Sequence, residues 1–336
     1  MEISVVIPTK NRLQDLMRLL LSLEQNDYKR LEVIIVDASD VRMDESQLRT
    51  EFPKLKIIYL PSPSSVCVQR NLGIHHAKAD WIFVCDDDIE IPRDYLSILV
   101  NYVLQHPDAG AICGQILQLE NHQWQSNYPL SSKKELLLKF CFGLGIWGPV
   151  TCSSRNPIIQ WIVSYYRKKG NHLAKSGWPI ITHFEGDVIA VPSFTLCAAL
   201  IKKQWLEISG YDEVLDSHGI GDNYGIALSF PAPGIQVIQS TFAYHYKVPE
   251  NRIQKPVQYY RRALALDYFI RTNSRLRFVK RRYFLFSLFG NAFIYILKGD
   301  HQMRVPALKT FWRALFKRNP YVSASIAGEK VTEFGL

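Results

Sequence analysis

The chain has no paired cysteines. Its six (Cys67, Cys85, Cys113, Cys141, Cys152 and Cys197) are scattered through 336 residues without a CxxC pair. Structural zinc and a disulfide framework are therefore not expected, and a reducing cytoplasm suits the pattern. Low-complexity tracts and internal repeats are also missing, which sets repeat architectures aside. A secretory signal is not expected either: Glu2 is acidic, and the first apolar run, Ile3–Ile7, stops at Pro8. Tyr283–Leu297 runs fifteen residues without a charge, short of the roughly 20 that span a bilayer. Finally, one stretch almost lacks acid. Residues 251–282 hold ten Lys/Arg against Asp267 alone, a local +9 that equals the net charge of the whole chain. Such a segment suits phosphates, of lipid or of nucleic acid. No reader module accompanies it, so nucleic acid is not expected as a partner.

What is present is a regular alternation. At 47% hydrophobic and 21% charged, the chain is expected to pack around a core. Ile3–Ile7 reads as a buried strand, and Leu13, Leu16, Met17, Leu20 and Leu23 recur at helical spacing behind it. Strands are expected at Glu32–Val36, Lys56–Leu60, Trp81–Cys85 and Ala111–Leu117, with helices near Val66–Ala79 and around Leu96–Val103. Short apolar strands separated by helices imply an α/β fold: a Rossmann-like, mostly parallel sheet with helices on both faces. Ligands of such sheets bind beyond the carboxyl ends of the strands.

Residues 119–184 are irregular, and read either as a loop-rich insertion shaping an acceptor pocket or as an excursion without chemistry. Order returns from Val188, with a short helix near Gln204–Ile208, a glycine-rich loop at 217–225 and a strand near Gln236–Tyr246. Residues 255–318 look helical. The aromatic stretch Tyr283–Leu297, flanked by Lys280, Arg281, Arg282 and Lys298, suits a helix lying in a lipid headgroup region, or one packed on the protein.

Four groups of residues sit where ligands of such a fold are bound. Asp86-Asp87-Asp88 directly follows the strand ending at Cys85. Three adjacent carboxylates repel one another, and the arrangement persists when something cationic neutralises it. Mn²⁺ or Mg²⁺ does this well, since both take carboxylate oxygens and bridge to phosphates. Asp37 ends the second strand, where a carboxylate accepts hydrogen bonds from a ribose or a base edge. Pro8-Thr9-Lys10-Asn11-Arg12 follows the first strand and offers hydroxyl, amide and guanidinium groups to a nucleotide; Asn11 is equally suited to capping a helix. Arg70-Asn71, with Gly73, supplies a guanidinium that either forks onto phosphate or pairs with Asp86.

Together, the run SVVIPTKNR, the strand-end Asp37, the QRNLGI segment and the strand ending in DDD resemble glycosyltransferase family 2, inverting enzymes of the GT-A fold. The resemblance is strong over about residues 1–118 and patchy to about 247. It implies a GT-A catalytic domain over 1–250, with a nucleotide-sugar-binding half at 1–118 and an acceptor-side half at 119–250. A basic, amphipathic helical tail follows at 251–336. It implies that Asp37 and Asp86 hold the nucleoside, beside Pro8, Thr9, Asn11, Arg12, Arg70, Asn71 and Asp87, and that Asp88 binds the metal beneath the diphosphate. His245 stands where relatives of the fold often place a further metal ligand; its other reading is a partly buried strand residue. The family's catalytic base comes from a Glu-Asp pair after a Gly-Phe/Tyr-Asp-Glu segment. Gly210-Tyr211-Asp212-Glu213 matches that segment, and Asp222 falls at the aspartate, but Gly221 replaces the glutamate. Asp222 is the expected base, with Asp216, Asp187 and Glu185 as alternatives. Trp147 and Trp178 read as core, or as platforms for a sugar face.

The expected activity is transfer of a sugar from a nucleotide-diphosphate sugar, with UDP favoured, to a glycan or lipid-linked acceptor. The expected place is the inner face of the plasma membrane, on an anionic surface. Two other readings stand beside it: a non-catalytic nucleotide-sugar-binding scaffold at a membrane, and a haloacid-dehalogenase-type phosphohydrolase. The second needs its acidic pair after the first strand, and here the acids follow the fourth.

Overall fold

The computed structural model describes all residues except 121, 127, 129–131, 151–153, 248–252, 332, 333 and 336. Arg252 of the basic segment and Cys152 therefore lie outside the described residues. Strand β1 (Ile3–Thr9) is buried along its whole length, as its unbroken apolar run requires. Helix α1 (Leu13–Gln25) turns Leu16, Leu19, Leu20 and Leu23 inward. Then come β2 (Leu31–Asp37), α2 (Glu45–Glu51), β3 (Lys56–Pro61), α3 (Val66–His76), β4 (Trp81–Cys85), β5 (Ile89–Glu90), α4 (Tyr95–Gln105), β6 (Ala111–Glu120) and β7 (Gln123–Ser126). The next stretch holds α5 (Lys133–Phe142), β8 (Ile146–Trp147), α6 (Pro157–Lys169), β9 (His172–Leu173) and β10 (Pro179–Ile181). β11 (Val188–Val191), β12 (Ala198–Lys202), α7 (Lys203–Glu207), α8 (Asp222–Ala227) and β13 (Ile235–His245) follow. The chain then becomes helical: α9 (Lys255–Thr272), a 3₁₀ turn at Ser274–Leu276, α10 (Arg281–Leu297), α11 (His301–Leu315) and α12 (Pro320–Ala327).

These elements form two compact units. The first comprises residues 1–127, 186–213 and 217–252; the second comprises 128–185, 214–216 and 253–336. The first unit holds the large sheet, in the order β11-β13-β6-β12-β4-β1-β2-β3, with β5 paired to β13 and β7 to β6. β1, β2, β3 and β4 are mutually parallel, as are β6 and β13, whereas β12 runs antiparallel between β4 and β6. The sheet is the mostly parallel one expected, with an antiparallel strand inserted at its centre. Register aligns Thr9 with Asp37, and Asp37 with Pro61. The strand ends therefore form one edge. α3 lies close against this sheet at Gly73, where a Cβ would come within 2.4 Å of Val6 Cγ1; glycine is the residue that permits such an approach.

The second unit carries a small sheet, β8-β10-β9, and a core of its own that includes Leu136, Ile146, Ile162, Tyr166 and Ile180. Its helical part is tied together by buried polar groups. Asp267 accepts from Arg271 at 2.8 Å and from Asn319 at 2.9 Å, and Asn319 also caps α12. Trp178 donates to Ser287 Oγ at 2.8 Å and packs on Phe284, which is its core reading. The apolar stretch expected from Tyr283 is α10.

Candidate active site

The first unit gathers the acids at its strand-end edge. In the register of β1 on β4, Val6 faces Val84, so Thr9 and Asp87 reach the same level beyond the sheet. Thr9 accordingly donates to Asp87 Oδ2 at 2.8 Å. Arg12, from the start of α1, donates to Asp87 at 3.0 Å and lies 3.5 Å from Asp88. β5 runs beside the end of β13, pairing Ile89 with His245, which sets His245 Nε2 3.3 Å from Asp88 Oδ1. On the other side of the triad, Arg70 of α3 donates to Asp86 at 2.6 Å and, by a shorter contact, to Asp222 at the start of α8. Arg70, Asp87, Asp88 and Asp222 are buried, and Asp86 is half-buried.

Four carboxylates thus surround two guanidinium groups. Burial pushes Asp87 up to about 7; Arg12 opposes the shift and Asp88 adds to it. Burial also raises Asp222, against the pull of Arg70. For Arg70, burial works against the charge, but Asp222 and Asp86 outweigh it and hold its pKa above the ordinary arginine value. The Tyr211 ring lies 5.0 Å from the Arg70 guanidinium carbon, adding a cation–π contact. Buried carboxylates grouped this closely repel one another, and a cation beside them is favourable.

The donor set fits Mn²⁺ or Mg²⁺. Such ions commonly use one or two protein ligands and take the remainder from substrate phosphates and water. Asp88 and His245, whose Oδ1 and Nε2 lie 3.3 Å apart, are the residues that would hold such an ion. Among the described residues no group of three or more His, Cys, Asp and Glu could hold a metal ion.

Asp37 lies at the edge but is already engaged: Tyr59 donates to Oδ2 at 2.5 Å and the Ser39 amide to Oδ1 at 2.8 Å. Burial, reinforced by Asp37, pushes Tyr59 up to about 12. Asn11 is not a helix cap. Its φ is +55°, and its amide exchanges hydrogen bonds with Asp40 at 2.7 and 3.0 Å; α1 starts at Arg12 without a side-chain cap. Pro8 sits inside β1 opposite Val36. Asn71 is turned to the Gly210–Glu213 turn: it donates to the Tyr211 carbonyl at 2.9 Å and to Glu213 at 3.0 Å, and accepts from the Tyr211 amide at 2.8 Å. Two motifs far apart in sequence are thus each other's partners.

Among the other carboxylates weighed as the base, Asp216 is fully buried in the second unit, accepting from Arg261 at 3.1 Å and Tyr321 at 2.5 Å. Glu185 and Asp187 are exposed. Gly221, which stands where the family pattern has glutamate, adopts φ +106°. A residue with a Cβ is strained at that angle, so the backbone of this loop accounts for the glycine. Sequence reasoning missed Gln69, whose amide donates to the carbonyls of Thr9 at 2.8 Å and Val36 at 2.7 Å. It braces the ends of β1 and β2. Its place beside Arg70 in the QRN run was the available signal.

A mostly parallel, Rossmann-like sheet with acids at its strand ends and an arginine-bearing helix beside them is a GT-A fold. Structures of the GT-A class share it. S. aureus TarS 1–349 in complex with UDP-GlcNAc has a TM-score of 0.52 at 17% identity, over 97% of this chain and 84% of that one. The mannosyltransferase PcManGT from Pyrobaculum calidifontis, in complex with GDP-Man and Mn²⁺, gives 0.53 at 15%, over 94% and 88%. At these identities the likeness concerns the fold. Residues 4–152, a little under half of the chain, match the family described as glycosyl transferase family 2, the family the sequence motifs resemble. WcaA of Escherichia coli strain K12, a glycosyl transferase provisionally assigned to colanic acid biosynthesis, is 31% identical over 106 residues, 31% of this chain and 38% of that protein. The matching stretch spans only about a third of the length of the curated relatives.

Proposed function

We propose that this protein is an inverting glycosyltransferase that moves one sugar from a nucleotide-diphosphate sugar to an acceptor hydroxyl, with Mn²⁺ or Mg²⁺ bound at Asp88 and His245. The observation that carries the reading is the gathering of Asp86, Asp87, Asp88 and Asp222 around Arg12 and Arg70 at the strand ends, with His245 beside Asp88. A divalent ion with a diphosphate is the ligand pair that such a site takes.

The chemistry is one in-line displacement. The acceptor oxygen bonds to the anomeric carbon as the bond from that carbon to the diphosphate oxygen breaks. Asp222 takes the hydroxyl proton, and its carboxylate is held by Arg70. The metal, when bound, stabilises the negative charge of the departing diphosphate. Asp37 receives the nucleoside at the end of β2, and Thr9 and Arg12 keep Asp87 and Asp88 in place. UDP is the favoured nucleotide. The acceptor is a glycan or a lipid-linked glycan at the inner face of the plasma membrane, a reading supported by the basic charge of residues 251–282. Among the described residues no helix is long and apolar enough to cross a membrane.

The test is release of nucleoside diphosphate from a panel of nucleotide-sugars, with and without Mn²⁺. Metal-dependent release that an acceptor accelerates supports the proposal. Release of inorganic phosphate instead would indicate a phosphohydrolase, and donor binding without any turnover would indicate a scaffold.

A further inference from the structure

The two units differ sharply in charge. Residues of the first carry 16 Lys/Arg and 24 Asp/Glu, a net −8; those of the second carry 24 Lys/Arg and seven Asp/Glu, a net +17. The second unit also displays the apolar face of its α10–α11 hairpin. In α10, Tyr283, Phe286, Phe289, Phe293 and Ile296 recur at intervals of three and four residues, and each is exposed. The opposite side of the same helix, Phe284 and Leu288 included, is buried. Gly290 lies among the exposed rings and admits the Phe142 ring so closely that a Cβ would lie 2.3 Å from it, so the half-buried Phe142 joins this face, 5.2 Å from Phe286 and 5.9 Å from Phe293. In α11, Val305, Leu308, Trp312, Leu315 and Phe316 repeat the pattern, with Trp312 half exposed and Phe316 61% exposed. The rings connect across the hairpin, through Phe289 to Phe311 at 6.0 Å, Phe311 to Trp312 at 5.4 Å and Trp312 to Phe316 at 5.6 Å.

An amphipathic helix in water turns its apolar side inward. Here each helix has a second apolar side facing out, and a contiguous exposed patch of this kind marks an interaction surface. Charge selects the occupant. Residues 277–318 contain ten Lys/Arg and one acid, Asp300, and that acid caps α11, accepting from the Met303 amide at 3.0 Å. Aromatic rings framed by cations match the boundary between anionic headgroups and acyl chains. They do not match a second copy of the same face, because pairing would bring two strongly cationic units together.

We infer that the exposed face of α10 and α11 is a monotopic membrane-docking surface that takes an anionic phospholipid bilayer. The aromatic side chains enter the headgroup–acyl boundary, and Lys280, Arg282, Lys298, Arg304 and Lys309 contact lipid phosphates. The inference rests on the membrane part of the proposed function and replaces a general basic tail with a defined surface.

The experiment is co-sedimentation of the full chain with vesicles of phosphatidylcholine alone, or with phosphatidylglycerol added. Binding to the anionic vesicles only, weakened by salt, is expected. Phe286→Ser/Phe289→Ser and Arg304→Ala/Lys309→Ala should each lower the partition about tenfold or more, with nucleoside diphosphate release to a soluble acceptor unchanged and a cooperative circular dichroism melt retained. The salt and lipid dependence of the unaltered protein tests the surface even where a variant fails to fold. No recruitment to anionic vesicles overturns the inference. So does a concentration-dependent dimer that depends on Phe286 and Phe289, recruitment indifferent to both double variants, or equal binding to inorganic phosphate in solution. Turnover without vesicle binding would remove the docking surface alone, and vesicle binding without turnover would remove the transferase alone.

Discussion

Arg70 grips Asp86 with one guanidinium nitrogen and Asp222 with the other, joining the end of β4 to the start of α8 across a sequence separation of 152 residues for the Asp222 contact. The residue proposed to receive the acceptor proton is therefore positioned by the helix that also steadies the acid triad. Geometry of this sort, rather than basicity alone, sets the rate of a proton transfer.

Replacing Arg70 with Met leaves two carboxylates without their cation. Breaking a buried pair in this way costs about 3 kcal/mol or more, visible as a lower denaturant midpoint. Arg70→Lys keeps the charge but loses the fork. It should fold and yet turn over about 10²-fold more slowly, with donor affinity measured by calorimetry much less affected. Equal losses in both would assign Arg70 to donor binding instead.

Asp222→Asn should retain donor binding and lose about 10²-fold or more in turnover. The pH profile separates this from a packing defect. The base works when unprotonated, and burial raises Asp222 above the ordinary carboxylate value. Turnover should therefore climb with pH through a limb above the usual carboxylate range and flatten beyond it. In the asparagine variant that limb should vanish; its persistence would point to another base.

For Asp88→Asn, calorimetric titration with nucleoside diphosphate and Mn²⁺ is expected to show a loss larger than the roughly 10–100-fold typical of groups behind the ligands themselves. Titration of the same variant without metal should match the unaltered protein. His245→Ala should behave in the same direction. Unchanged affinity would separate both residues from the metal.

Gly221→Glu restores the residue of the family pattern and should harm the protein. At φ +106° a side chain costs on the order of 1–3 kcal/mol, so a lower melting temperature and reduced turnover are expected. A gain in activity would show that the loop adopts another backbone shape.

Much of the sheet could be read from the sequence, because apolar runs and strand-end acids are local signals. Trp81–Cys85 is the strand expected, and Asp37 ends β2 as read. β12 was not legible as the antiparallel partner of both β4 and β6: alternation of strands and helices implies parallel neighbours, and which strand returns between them is settled by distant packing. The neutralisation of the triad was half legible. Charge leaves Arg70 two readings, a phosphate or Asp86, and the pair with Asp86 is present, whereas the pairing of Arg12 with Asp87 depends on how α1 leaves β1. Asn71 was read as facing a nucleotide, but its partner is the Gly210–Glu213 turn, a match that no local pattern announces. The insertion gave little signal because its apolar residues belong to short helices and two-residue strands, which lack a resolvable period.

The three residues Val214–Asp216 belong to the second unit, although the segments before and after them belong to the first. Asp216 is fastened there by Arg261 and by Tyr321, which lies 105 residues downstream. During synthesis, the loop that ends in Asp222 should stay unsettled until α9 and α12 have emerged and closed on this anchor. A ribosome-bound chain stopped short of Tyr321 would then have its sheet in place and its acid triad formed, while Asp216 lacked one of the two groups that hold it.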